Sequence, residues 1–114
     1  MSTDKQYSEE LDTKYFKFVA SRTKPSKEIA AFFSPEKASL VHAVMGISGE
    51  AGELLDTIKK TVIYGKSLDL ENIVEELGDI EFYLEMMRQE IGLTREFILV
   101  KNIQKLEQRY PTAY

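Results

Sequence analysis

Residues 69–92 read DLENIVEELGDIEFYLEMMRQEIG. Ile73, Leu77, Ile80, Leu84, Met87 and Ile91 recur at alternating spacings of four and three, which gathers them on one side of an α-helix and shows none of the strict alternation of a half-buried strand. Asp69 offers the short acceptor side chain that caps a helix N-terminus, and Gly92 suits the left-handed residue that ends one. The stretch therefore predicts a helix bounded at both ends, with an apolar seam that another helix must cover.

That helix is supplied upstream. Ser34-Pro35-Glu36 combines a hydroxyl N-cap, a proline in the first turn and an acid near the positive end of the helix dipole. The helix it opens is predicted to run to about Val62 or Ile63, with Leu40, Val44, Ile47, Ala51, Leu54 and Ile58 as its seam. Tyr64-Gly65-Lys66 breaks it, and the short link to Asp69 makes the two helices antiparallel neighbours. Farther upstream, Tyr7, Leu11, Tyr15 and Phe18 mark a first helix from about Asp4 to Arg22, which Pro25 closes by disfavouring helical geometry in the residue before it. Residues 26–33 form a connector with one helical turn. Downstream, Thr94 caps a last helix that runs to about Arg109, and Pro111 ends the domain. The fold class is all-α: an antiparallel helical bundle of four main helices in one domain over residues 1–114. Residues 1–3 are expected to be flexible, and the motif-bearing core spans about 35–111. A domain this small has a high ratio of surface to volume, so completion of the bundle by a homodimer or a dimer-of-dimers tetramer is expected.

Composition narrows the function. The chain has 43% hydrophobic residues, no cysteine and a net charge of −4. Its apolar runs are far short of a bilayer span, and no basic segment followed by an apolar one suggests a secretory signal. Disulfide frameworks and thiolate metal sites are excluded, and a reducing cytoplasm is the simplest setting. The acidic balance argues against nucleic acid or an anionic membrane as partner.

The acids in the two central helices carry more information. Residues three apart share a helix face, so Glu50 and Glu53 project together, as do Glu76 and Asp79. With Ala51 and Leu77 as heptad position a, Glu50 and Glu76 both fall at g, and Glu53 and Asp79 both fall at c. In an antiparallel pair the two g edges run side by side, so the acidic pairs converge. Glu53 precedes Ile63 by ten residues and Asp79 follows Asp69 by ten, which puts both about 15 Å from the turn. Four carboxylates at one height repel and shift their pKa values upward. A hard divalent cation such as Mg2+ or Mn2+ resolves the conflict. Gly46, Gly49, Gly52 and Gly78 lie inside the same helices, each costing about 1 kcal/mol relative to alanine, as though a helix or ligand must approach the backbone closely. Against this stands the plainer reading that Glu-x-x-Glu is commonplace on a helix in a chain with 30% charged residues.

In order along the chain stand Gly49-Glu50-Ala51-Gly52-Glu53-Leu54, Ile58-Lys59-Lys60, Tyr64-Gly65-Lys66, Glu75-Glu76-Leu77-Gly78-Asp79, Asn102-Ile103-Gln104-Lys105-Leu106 and Arg109-Tyr110-Pro111. These blocks resemble the MazG-like family of all-α nucleoside triphosphate pyrophosphohydrolases, whose signature is Glu-x-x-Glu, an intervening stretch, then Glu-x-x-Asp. Here the stretch is residues 54–75. The resemblance implies magnesium-dependent hydrolysis between the α- and β-phosphates of a (deoxy)nucleoside triphosphate, giving a monophosphate and pyrophosphate. It also implies that Glu50, Glu53, Glu76 and Asp79 hold the metal, with Mn2+ a possible substitute, and that Glu50 or Glu53 assists as base. Lys60 returns to the face of Glu53 after seven residues and is preferred as a phosphate contact over Lys59; Lys66 in the loop follows it. Asn102 and Lys105 share a face of the last helix, and their block suggests phosphate or sugar contacts. For each lysine the alternative is an ordinary solvated charge. His42 lies near where relatives shape the base pocket, but about 80° from Glu50 around the helix, which favours a buried or partner-facing structural role. Tyr83, one turn beyond Asp79, stacks on a base or belongs to the core. Tyr15-Phe16-Lys17-Phe18 reads as packing, and Arg109 as structural.

Two other readings compete. A di-iron carboxylate bundle needs Glu-x-x-His ligands, and His42, the single histidine, lies outside any such motif. A non-catalytic helical dimerisation module explains the seams but neither the glycines nor the matched acidic pairs.

Overall fold

The computed structural model describes residues 2–114, with side chains from Ser8 onward. Met1 and the Tyr7 side chain, which belong to the expected flexible lead and the expected first seam, lie outside the described residues. The elements are α1 (Ser2–Arg22), α2 (Ser26–Ala30), α3 (Pro35–Val62), α4 (Leu70–Ile91) and α5 (Arg95–Arg109), with no strand among the described residues. The chain is all-α: four main helices, plus one turn of helix in the connector. The helix expected from about Asp4 starts at Ser2 instead.

By Cα proximity the chain divides into two units, Met1–Phe33 and Ser34–Tyr114. In the first, α1 carries exposed Tyr15, Phe16 and Phe18, so the packing expected of these aromatics is not supplied within that unit; the Arg22 guanidinium lies 4.9 Å over the Phe18 ring. The second unit carries every acid of interest. Its helices begin at the anticipated caps. The Ser34 hydroxyl accepts from the Lys37 N–H at 3.2 Å, the Asp69 carboxylate from the Asn72 N–H at 3.1 Å, and the Thr94 hydroxyl from the Phe97 N–H at 3.1 Å. Each satisfies a backbone donor that the first helical turn leaves without a partner. Gly65 (φ 67°) and Gly92 (φ 69°) take the left-handed conformation that reverses the chain after α3 and α4.

The principal helix pairing is α3 against α4, and their facing sides differ from the expected ones. The seam is centred on d and g, with only part of the a stripe at its edge. At d, Leu40, Ile47, Leu54, Ile73, Ile80 and Met87 are half-buried. At g, Ala43, Thr57 and Glu76 are buried, and Glu50 and Tyr83 are half-buried. At a, Ile58 and Leu84 are half-buried, whereas Val44, Ala51, Leu77 and Ile91 are exposed, as are Leu55, Val62 and Val74 at e. Each helix is thus turned so that its g acid enters the interface, and a second apolar face, formed by a and e, is left open. α5 packs against neither helix to a comparable extent and is exposed along its length.

Gly46 explains one of the helical glycines. A Cβ placed there would lie 2.2–2.4 Å from ring atoms of Tyr83, closer than any real contact. Gly49, Gly52 and Gly78 face open space instead. Gly46→Ala should therefore lower stability by about 1–3 kcal/mol through overpacking. Gly49→Ala should raise it by up to about 1 kcal/mol through helix propensity. Chemical denaturation of the two variants beside the wild type checks both signs.

Candidate metal centre

Turning the g positions into the seam brings the acids together. One carboxylate oxygen from each of Glu50, Glu76 and Asp79 lies within 4.8 Å of the other two. Glu76 is buried, Glu50 half-buried and Asp79 exposed, so the cluster runs from the helix interface to the surface. Glu53 also reaches the Glu76 carboxyl, but it is exposed and stands outside this group of three.

The electrostatics follow from that arrangement. Oε2 of Glu50 and Oε2 of Glu76 are both buried without a hydrogen-bond partner. Carboxylate oxygens only accept hydrogen bonds when ionised, so acids facing one another cannot satisfy each other without a proton or a cation. The Glu76 carboxyl is pushed up to about 7 from its usual 4.5, chiefly by the facing Glu50, then by burial and by Glu53. Three convergent oxygen donors, two with orphaned oxygens, fit a hard divalent cation that prefers oxygen ligands and completes its shell with water.

Comparison with family profiles supplies the remaining observation. The profile of the MazG nucleotide pyrophosphohydrolase domain matches residues 39–114. The chain belongs to that family. Comparison with curated proteins and with solved structures gives no match. The MazG match covers both acidic pairs and all of α4 and α5.

The other residues singled out in the MazG-like blocks are less tightly gathered. Lys60 is exposed and forms an ion pair with Asp56 one turn back, at 3.3 Å. Lys66 is exposed in the α3–α4 turn, where its N–H donates to the Lys60 carbonyl at 3.0 Å. Asn102 and Lys105 are exposed on α5, and among the described residues no hydrogen bond or ion pair joins them to the acids. His42 is exposed, not buried, with its ring edge-on to Tyr83 at 5.9 Å. Tyr83 in turn meets Phe82 edge-to-face at 5.2 Å and covers Gly46. The two aromatic candidates therefore belong to one cluster on the α3–α4 pair.

Two features escaped sequence reasoning. Arg88, with its side chain 11% exposed, donates to Glu85 at 2.7 Å and to Glu81 at 2.6 Å. This fork holds the Glu85 carboxyl below its usual range and the Arg88 guanidinium above its own. The spacings of three and seven were visible, but nothing in them distinguishes a buried fork from solvated charges. The second feature is a hydrogen bond across the helix pair, from the Asn72 side-chain amide to the Thr57 hydroxyl. A lone Thr and Asn fifteen residues apart carry no periodic signal.

The raised Glu76 fixes the sign of a pH effect. Between 4.5 and about 7 the folded protein binds a proton that the unfolded chain has released, so this group's contribution to stability is fully present below the first value and is lost as pH rises through the second. Glu76→Gln, neutral throughout, lacks that loss. In EDTA the variant should melt above the wild type at pH 8, with the gap closing by pH 5, and Mg2+ at pH 8 should raise the wild type more. Parallel melting profiles for the two proteins would contradict the placement of Glu76.

Proposed function

We propose that this MazG-family chain is a Mg2+-dependent nucleoside triphosphate pyrophosphohydrolase. Its reaction is cleavage of the α–β phosphate bond to give a (deoxy)nucleoside monophosphate and pyrophosphate. The observation that carries the reading is the buried Glu76, with an orphaned oxygen, between Glu50 and Asp79 inside the matched family segment. Glu50, Glu76 and Asp79 are the residues to hold the cation, with Glu53 at its edge, and Mn2+ can replace Mg2+. The cation supplies charge neutralisation on the phosphates and a more acidic bound water. Of the two residues open to base catalysis, Glu50 and Glu53, Glu53 is preferred: exposed and outside the group of three, it is free to take a proton from water. Lys60, Lys66, Asn102 and Lys105 are assigned to the phosphates and sugar. Lys60 must exchange its Asp56 pair for substrate, a small penalty for an exposed ion pair. The exposed His42 and the half-buried Tyr83 edge-on to it are assigned to the base.

In this reading the chain is one domain over residues 1–114, its site borne by about 35–111, and it works in the cytoplasm. No helix among the described residues is long and apolar enough to cross a membrane. The open a and e face supports a homodimer or dimer of dimers. It holds Val44, Leu55, Val62, Leu70, Val74 and Leu77, each more than half exposed. Contiguous apolar surface of this kind marks an interaction site. The same face is what a non-catalytic dimerisation module would need, but such a module gives no account of the orphaned acids.

Activity and metal binding separate the roles. Glu53→Gln should lose about 10²-fold or more in pyrophosphate release while still binding Mn2+. Asp79→Ala should lose both, with helical circular dichroism retained. Full activity in either variant would refute the assignment of the site. Sedimentation across a concentration series should show a dimer or tetramer for the wild type, and Leu77→Glu should shift it toward monomer.

A further inference from the structure

Thr57 in the α3–α4 seam and Asn72 at its edge play no part in the reading above. Thr57 is 5% exposed at a g position, in the same row as Glu50. Its hydroxyl donates to the Glu53 carbonyl at 3.1 Å and accepts from the Asn72 side-chain amide. The Asn72 backbone N–H is itself held by the Asp69 cap at 3.1 Å. A continuous chain of bonds therefore runs from the N-cap of α4, through Asn72 and Thr57, to the backbone of the residue that carries an acid.

The register of this bond is its telling property. Thr57 follows Glu53 by four residues and Glu50 by seven; Asn72 precedes Glu76 by four and Asp79 by seven. Pinning Thr57 to Asn72 therefore levels the two acidic pairs, one and two turns farther from the loop on both helices. The rest of the seam, largely Ile, Leu, Met and Ala, resists sliding poorly, because apolar contact is non-directional. Like-charged carboxylates facing each other next to it favour separation. A directional hydrogen bond from the half-buried Asn72 amide to the buried Thr57 hydroxyl opposes both, since breaking it would cost the hydroxyl its donor in the seam.

We propose that Thr57 and Asn72 are positioning residues for the cation site, acting by fixing the axial register of α3 against α4. The proposal rests on the metal-binding reading given above. Its test is Mn2+ binding followed by electron paramagnetic resonance, which needs neither substrate nor turnover, with thermal melting recorded alongside. Thr57→Val and Asn72→Leu should each weaken Mn2+ binding about tenfold or more, the range for residues that orient ligands without touching the metal. The double variant should be little worse than either single one. Thr57→Ser should restore binding. Thr61→Val removes a hydroxyl one turn on, bonded at 3.4 Å to the Ser67 carbonyl, and should leave binding near that of the wild type even where it lowers melting. If Thr57→Val does not fold, Asn72→Leu carries the comparison. Folded variants that bind Mn2+ like the wild type overturn the proposal, as does an equal loss in Thr61→Val. A wild type that takes up no Mn2+ overturns the metal reading itself, a result distinct from failure of the clamp.

Discussion

Glu50 and Glu76 face each other in the interface between α3 and α4, and the rest of the second unit is organised around that contact. An interface of two helices ordinarily excludes charge, because a carboxylate moved out of water loses solvation that only a proton, a cation or donors can restore. Here the donors are missing: each acid leaves an oxygen buried and unpartnered, and Glu76 responds by holding its proton up to about 7. The pair thus has two ways to resolve its conflict, and in the function proposed above ionisation with a divalent ion is the one that would leave it competent for phosphate chemistry. Asp79 extends the cluster to the surface, where phosphate and water can reach it.

Much of this was legible in the sequence because the deciding signals are local. Ser34, Asp69 and Thr94 cap helices through bonds reaching three residues ahead, and Gly65 and Gly92 reverse the chain by adopting positive φ. Such interactions depend on neighbours in the chain and survive any tertiary arrangement. The convergence of Glu50, Glu76 and Asp79 was also legible, since g edges adjoin in any antiparallel pair built on these seams, whereas Glu53, expected with them, stands outside the group.

What the sequence left undecided was which stripe the single chain covers. An a and d pattern records that both stripes are apolar somewhere in the assembled molecule; it cannot assign each to its partner. The d stripe meets g inside this chain, and the a stripe, Ile58 and Leu84 apart, is left for something else. That rotation is also why Thr57 and Tyr83 sit in the seam, why Gly46 must be a glycine, and why Glu76 is buried instead of flanking the interface. The contact between His42 and Tyr83 has the same origin, since Tyr83 enters the seam only in the rotated arrangement. Arg88 was missed because burial of its guanidinium depends on which side α4 turns inward.

The two exposed edges of the helix pair then have different tasks. Positions a and e lie about 160° around each helix from position c, so the apolar stripe and the edge bearing Glu53 and Asp79 point away from each other. A second copy that covered the apolar stripe would leave the acids open, and association and catalysis would not compete for surface. Gly49, Gly52 and Gly78 add to this. They stand beside the acids with open space where a Cβ would go, so packing within the chain does not require them, unlike Gly46. A glycine kept in a helix interior without a packing reason costs about 1 kcal/mol of helix propensity. Three such residues flanking the carboxylates are accounted for if the group that approaches the backbone there is the substrate or a further helix, and not α3 or α4 themselves.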